Sequence, residues 1–345
     1  MNILVIDSFL DHGHDQFNSI QIDALLRTNN DVVLVGAKNH FPRDIEKRVR
    51  AYYSIPNFLF NKDIKNHFGT FWDAFWEIFR LLYIRLFIYN KSIDRVVFLR
   101  YNVLVTFIIF ICKPCFLFDH FSATEIHNKF KRFIVSHYPD NYIHLTLNNN
   151  IKDYLKGLLP NKKVFTVKHG ILPSFKNVGN CSLIDSNQKF VFCSTVSSCD
   201  RDLLIAILND EELKKYLKIN NIIFIIKTSI GVPETENIIK INGYISSNDY
   251  QYYIKNAICV FLPYDQSFGY RVSGIFFECV ANDTYVISSN IEAFSEYKRK
   301  DNPISLVSTP KDFIRALNTA EHTVQKWDKA DMDPCEDWQR ILNKI

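Results

Sequence analysis

The densest chemistry in this chain runs from Arg271 to Glu278. Arg271, Val272, Ser273 and Gly274 lead into an apolar run, IFFECVA, which a single acid, Glu278, interrupts. The surrounding stretch, FLPYDQSFGYRVSGIFFECVANDTYVISS from Phe261 to Ser289, reads as strand, polar loop, helix and second strand. A helix start exposes unpaired backbone N–H groups and a partial positive charge, and Gly274 in the first turn leaves the backbone open where a Cβ would stand. Arg271 adds a bidentate donor and Ser273 a hydroxyl at the same end. Glu278 falls about one turn further on the same face, where its carboxylate could hold a sugar joined to a diphosphate. That is the layout of a nucleotide-sugar site.

Other chemistry-bearing residues sit where apolar runs end. Lys227 closes IIFIIKTS, and Asp119 and His120 close FLFDHFS. A neutral imidazole at His120 could contact a reacting sugar or relay a proton; it could equally cap the helix expected from Ser122. His12, Gly13 and His14 follow the first apolar run and precede a helical pattern, so the loop around Gly13 can approach a bound sugar or acceptor.

The elements that would hold these residues form two sets. A chain of 345 residues, 47% hydrophobic, supplies two cores. In the first half the β-rich runs at 3–7, 31–35, 95–99, 115–119, 142–147 and 164–167 alternate with helical patterns at 15–27, 71–89, 103–112, 122–137 and 149–158. After a polar linker, 173–187, strands at 190–194, 222–227, 259–263 and 304–307 alternate with helices at 200–208, 248–256 and 310–326, with the helix and second strand of the 261–289 stretch between the last two strands. The expected fold class is α/β: two tandem Rossmann-like doubly wound domains, 1–172 and 188–326, with a ligand cleft between them at the strands' carboxyl ends. A last helix over 327–345 would pack across them.

Over nearly its whole length the chain resembles the GT-B glycosyltransferases, most closely the retaining family 4. ECVANDTYVISS is similar to that family's EAxAxGxPVIAS; NGYISSNDYQYYIKNAICVFLPY, VKHGILPSF and FLFDHFS are similar to three further family motifs, in the same order. Asp283 stands at the usual glycine, His169 at the usual asparagine, and an extra helical turn before Arg271 would put Asp265 or Gln266 in the first acidic region. The resemblance implies transfer of a sugar, with retention, from a nucleotide-diphosphate sugar to a glycan or lipid-linked oligosaccharide in bacterial surface polysaccharide synthesis. It implies a catalytic group of Asp119, His120 and Glu278. Its donor-binding set comprises Gly13, Arg201, Lys227, Tyr244, Ile245, Arg271, Val272, Ser273, Gly274 and Glu278, with Tyr244 and Ile245 reading the base and Arg201 or Lys227 meeting the phosphates. No cofactor or metal is expected. A nucleotide-sugar epimerase on the same fold and a non-catalytic binding subunit are the rival readings.

Composition narrows the setting. With 41 basic and 37 acidic residues and no basic stripe, nucleic acid is not an expected partner. The eight cysteines lie mostly in apolar runs, and the lone CxxC, Cys112 and Cys115, reads as structural, so a reduced, cytoplasmic protein is expected. MNILVIDSF opens directly in a strand pattern, without the features of a signal peptide. The apolar span 96–118 is cut by Arg100, Asn102, Lys113 and Pro114 into pieces too short to cross a membrane. FGTFWDAFWEIFRLLYIRLFIYNK, residues 68–91, interleaves Arg80, Arg85 and Lys91 with aromatics. That composition suits a helix lying on the inner membrane face, or a core helix with snorkelling arginines.

Overall fold

In the computed structural model the chain divides into two compact units, residues 1–170 with 332–345, and residues 171–331. The structure describes residues 1–8, 15–60, 69–109, 113–120, 122–176, 178, 179, 181, 183–185, 187–195, 198–298 and 301–345. The loop with His12, Gly13 and His14, and Cys112 of the CxxC, lie outside them.

The first unit is built on seven parallel strands: β1 (Asn2–Ile6), β2 (Asp31–Ala37), β3 (Ala51–Ile55), β4 (Arg95–Phe98), β5 (Cys115–Phe118), β6 (Tyr142–Thr146) and β7 (Lys163–Thr166). Their order is β3-β2-β1-β4-β5-β6-β7. The central strands are covered on both faces, which is why they read as unbroken apolar runs: Ile3 to Ile6 are fully buried. The helices are α1 (Asp15–Arg27), α2 (Arg43–Arg48), α3 (Gly69–Tyr83), α4 (Val103–Ile108), α5 (Ser122–Glu125), α6 (Lys129–Ser136) and α7 (Asn149–Leu158), and α3 runs on into a π-helical turn, Ile84–Ile88. Asparagines start three of them. Asn102, Asn128 and Asn148 each accept a backbone N–H from the first turn of α4, α6 and α7.

The second unit has six parallel strands, β8 (Lys189–Ser194), β9 (Ile222–Lys227), β10 (Ile238–Ile241), β11 (Cys259–Leu262), β12 (Tyr285–Ser289) and β13 (Ile304–Val307), ordered β10-β9-β8-β11-β12-β13. Around them lie α8 (Arg201–Asn209), α9 (Glu211–Ile219), α10 (Ser247–Asn256), α11 (Gly274–Ala281), α12 (Glu292–Ser295) and α13 (Pro310–His322). In each sheet the strand order reverses next to the unit's first strand, between β1 and β4 and between β8 and β11. Ligands of doubly wound sheets bind outside the carboxyl ends at such points.

Several expectations are corrected. The helix read over 122–137 is two helices, because Asn128 caps a fresh start at Lys129. Strands β3 and β10 and helix α9 were not anticipated; β3 and β10 lie at sheet edges with half-exposed patterns, so no continuous apolar run marks them. The last segment is not one helix over 327–345. Trp327 belongs to the second unit, donating its indole N–H to the Thr284 carbonyl (2.9 Å) and its backbone N–H to Asp283 (3.0 Å). Only Cys335–Lys344 is helical; this α14 counts with the first unit, where Trp338 is fully buried against Phe116 and Phe118. Asp283 takes the left-handed backbone (φ 58°) that a glycine would adopt there, and its carboxylate also holds Lys329 at 2.8 Å.

Candidate functional site

In the second unit a pocket of about 430 Å³ opens at the carboxyl ends of β8, β9 and β10. Thr195, Arg201, Lys227, Thr228, Ser229 and Gly243 are among the residues that line it. Each arrives for a local reason. Lys227 is the last residue of β9, and Thr195 follows β8. Arg201 opens α8 directly after Asp200, whose side chain caps the helix by accepting from the Leu203 N–H at 3.0 Å. Gly243 follows β10 with φ 87°, a left-handed turn that leaves Tyr244 87% exposed and Ile245 buried. The Thr195 hydroxyl donates to that of Thr228 at 2.9 Å, so hydroxyls and two cations share one concave surface. Arg201 and Lys227 make no ion pair among the described residues. Two cations so arranged suit an anion with several oxygens.

Beside this pocket, across the reversal between β8 and β11, lies the start of α11. Arg271 is half-buried, with one guanidinium nitrogen 3.5 Å from the Ser198 hydroxyl in the segment that leads to α8. The Ser273 hydroxyl caps α11: it accepts from the Phe276 N–H at 3.2 Å and hydrogen-bonds the Tyr264 phenol at 2.8 Å. Val272 is half-buried and Gly274 exposed; apart from its own chain neighbours and helix backbone, no atom of the described residues comes within 4 Å of where a Gly274 Cβ would sit. The extra turn expected before Arg271 is a 3-10 helix, Gln266–Phe268, and Asp265 caps it by accepting from the Ser267 N–H at 2.8 Å.

Glu278 faces α10, where the Tyr250 phenol donates to its carboxylate at 2.5 Å. Burial raises the Glu278 carboxyl above its ordinary range, and the Tyr250 donation partly opposes that rise. Burial and the Glu278 charge push the Tyr250 phenol far up, so it stays a donor. Sequence reasoning missed Tyr250, one of three tyrosines in YQYY and nothing in the sequence sets it apart.

In the first unit Asp119 and His120 follow β5, but they face differently. Asp119 is buried and its carboxylate is engaged twice, accepting from the Tyr101 phenol at 2.5 Å and from His144 Nδ1 at 2.9 Å. His120 is half-buried, packs edge-on to Phe17, and hydrogen-bonds the Leu99 carbonyl through Nε2 at 3.0 Å. A second acid, unmarked in the sequence reading, lies at the reversal of this sheet. Glu77 on α3 is 1% exposed and accepts from the Ser8 hydroxyl, just past β1, at 3.4 Å. Burial lifts its carboxyl to about 7 against the opposing charge of Arg80.

Among the described residues no group of three or more His, Cys, Asp or Glu could hold a metal ion. The sequence does contain two Asp-x-Asp triplets, 200–202 and 331–333. In each, one carboxylate is already engaged: Asp200 caps α8, and Asp333 takes both arms of the Arg27 guanidinium at 2.7 and 2.8 Å.

No protein-family model and no curated protein matches the sequence. Solved structures do match the fold. Sucrose-phosphate synthase from Thermosynechococcus elongatus superposes with a TM-score of 0.62 at 11% identity, over 99% of this chain and 93% of that one. HepE from Anabaena, solved with UDP and glucose, gives 0.60 at 10% identity with both chains covered in full. UDP-GlcNAc 2-epimerase from Methanocaldococcus jannaschii gives 0.57 at 13% identity, again over 100% of both chains. Two Rossmann-like units with parallel sheets of seven and six strands, matched end to end by such proteins, define the GT-B fold. At these identities the likeness is one of fold.

Proposed function

We propose that the chain is a glycosyltransferase that takes its sugar from a nucleotide-diphosphate donor bound in the second unit. One observation carries the reading: Arg201, Lys227 and the Gly243 turn line the same pocket at the carboxyl ends of β8 to β10. The two cations and the start of α11, with Arg271 beside it, would meet the diphosphate. Tyr244, exposed past Gly243, would lie along the base, and Glu278, oriented by Tyr250, would accept from ribose or sugar hydroxyls. HepE was solved with UDP and glucose, which supports a uridine-type donor.

The chemistry proposed is transfer with retention. The bond from the anomeric carbon to the phosphate oxygen breaks, and the charge gathering on that oxygen is met by Lys227, Arg201 and Arg271. An acceptor hydroxyl forms the new bond on the same face, and its proton passes to the departing phosphate. In the first unit His120 would meet the acceptor, a glycan or lipid-linked oligosaccharide of a bacterial-type surface polysaccharide, with Asp119 holding the strand end beside it.

The test is a thermal-shift series with UDP, GDP, ADP and CDP and their sugars. A ligand at about 100 times its Kd adds about 2.7 kcal/mol, a rise of several degrees for a unit of this size. One nucleotide family is expected to give that rise in the wild type, and Lys227→Ala to weaken its binding at least about tenfold by calorimetric titration. The reading fails if no nucleotide shifts the wild type, or if Lys227→Ala and Arg201→Ala bind as the wild type does.

A further inference from the structure

We propose that the outer face of α3, α4 and α6 in the first unit is a docking surface for an anionic lipid bilayer. The three helices are neighbours, with α4 between α3 and α6. Their inner sides, including Leu81, Ile84, Val105, Ile134 and Val135, join one hydrophobic core with the sheet. Their outer sides are apolar as well. On α3 and its π-helical end, Phe79, Leu82 and Leu86 recur at helical spacing and are 41%, 38% and 72% exposed. Phe87 is 73% exposed, Ile108 on α4 64%, and Phe130 and Phe133 on α6 65% and 59%. Soluble surfaces scatter such side chains singly; a contiguous set on adjoining helices marks a contact surface.

Charge selects the occupant. The α6 first turn holds no acid and carries Lys129, Lys131 and Arg132, the reverse of what the positive end of a helix favours. Lys131 pairs with Glu125 at 2.9 Å, whereas Lys129 and Arg132 make no ion pair among the described residues. Arg85 and Lys91 flank the aromatic stripe of α3. Aromatics and leucines edged by cations, Lys129 and Arg132 foremost, fit a lipid surface with negative headgroups. The contact is with the surface, since among the described residues no helix is long and apolar enough to cross a membrane. Arg80, expected to snorkel, instead points inward: it is 5% exposed, donates to the Leu59 carbonyl at 3.1 Å and lies over the Phe60 ring. The outer stripe is therefore not a by-product of covering that arginine.

The test uses the full chain and vesicles of phosphatidylcholine, alone or with phosphatidylglycerol, read by co-sedimentation. The wild type is expected to bind only the anionic vesicles, and less so at high salt. Lys129→Ala with Arg132→Ala should weaken binding about 25-fold, at about fivefold per cation. Leu86→Ser with Phe87→Ser should abolish it. Both changes lie on the outer face, so unfolding temperature and any nucleotide-induced shift should stay as in the wild type. That separates this proposal from the donor reading, which can fail or stand alone. It is overturned if the wild type binds neither vesicle, if both double variants still bind anionic vesicles, or if the face instead joins two copies of the chain in sedimentation velocity with no vesicle binding.

Discussion

Glu77 sets a pH dependence that one substitution should erase. The carboxyl is 1% exposed, one of its oxygens is buried with no hydrogen-bond partner among the described residues, and burial raises it from an ordinary 4.5 to about 7, with Arg80 and the Ser8 hydroxyl opposing the rise. An acid raised on folding costs nothing below its unfolded value, where both states are protonated. The cost grows as pH climbs from about 4.5 and is complete above about 7, where the folded chain must hold a buried charge. The interval between those two values corresponds to about 3 kcal/mol of stability. Glutamine has the shape of the protonated acid and cannot ionise. Glu77→Gln should therefore match the wild type near pH 4 and exceed it by up to about 3 kcal/mol near pH 8.5, some 6–12 °C in the unfolding of the first unit. Scanning calorimetry of both proteins across that range is the assay. If Arg80 instead held Glu77 ionised at every pH, the variant would strand a buried guanidinium and be less stable throughout. That result, or parallel pH curves for the two proteins, would refute the reasoning.

Two further outcomes follow from the geometry. Tyr250→Phe removes the donor to Glu278, letting that carboxyl rise further, and should weaken donor binding about tenfold by titration calorimetry with little change in unfolding temperature. At Gly170, with φ 86°, an added Cβ would stand 2.2 Å from a methyl of Ile20, so Gly170→Ala should cost about 2–4 kcal/mol in urea unfolding, whereas Gly243→Ala, with open space around it, should cost about 1.

The sequence carried the fold well where an apolar run or a helical pattern marks the element. Residues 222–227 and 304–307 have the bounds read from their apolar runs, and α1 and α7 begin and end where their patterns and caps placed them. Two of the four edge strands, β3 and β10, escaped: β3 shows Tyr53 46% exposed, which breaks the run that marks a central strand. The candidate site was legible where chemistry coincides with a strand end, as at Lys227, or a helix start, as at Arg201 and Arg271. It was not legible where packing makes the pair. Tyr250 reaches Glu278 across two helices, and Glu77 meets Ser8 from 69 residues away. Neither spacing leaves a trace in sequence. Asp283 shows the converse, a departure from a motif whose reason is a tertiary one, the grip on Trp327 and Lys329.

The placement of α14 bears on the order of synthesis. Trp338 donates its indole N–H to Gln21, and the carboxylate of Asp337 accepts the Lys168 N–H, so the first unit closes on a helix translated after every residue of the second. At ordinary elongation rates that is a wait on the order of 10–30 s. Through that interval Phe116 and Phe118 lack their covering indole on the nascent chain, whereas the second unit, an uninterrupted stretch, has all its parts as the interval ends. The half that starts first is thus the half that finishes last, and a ribosome-bound chaperone would find its hydrophobic target there.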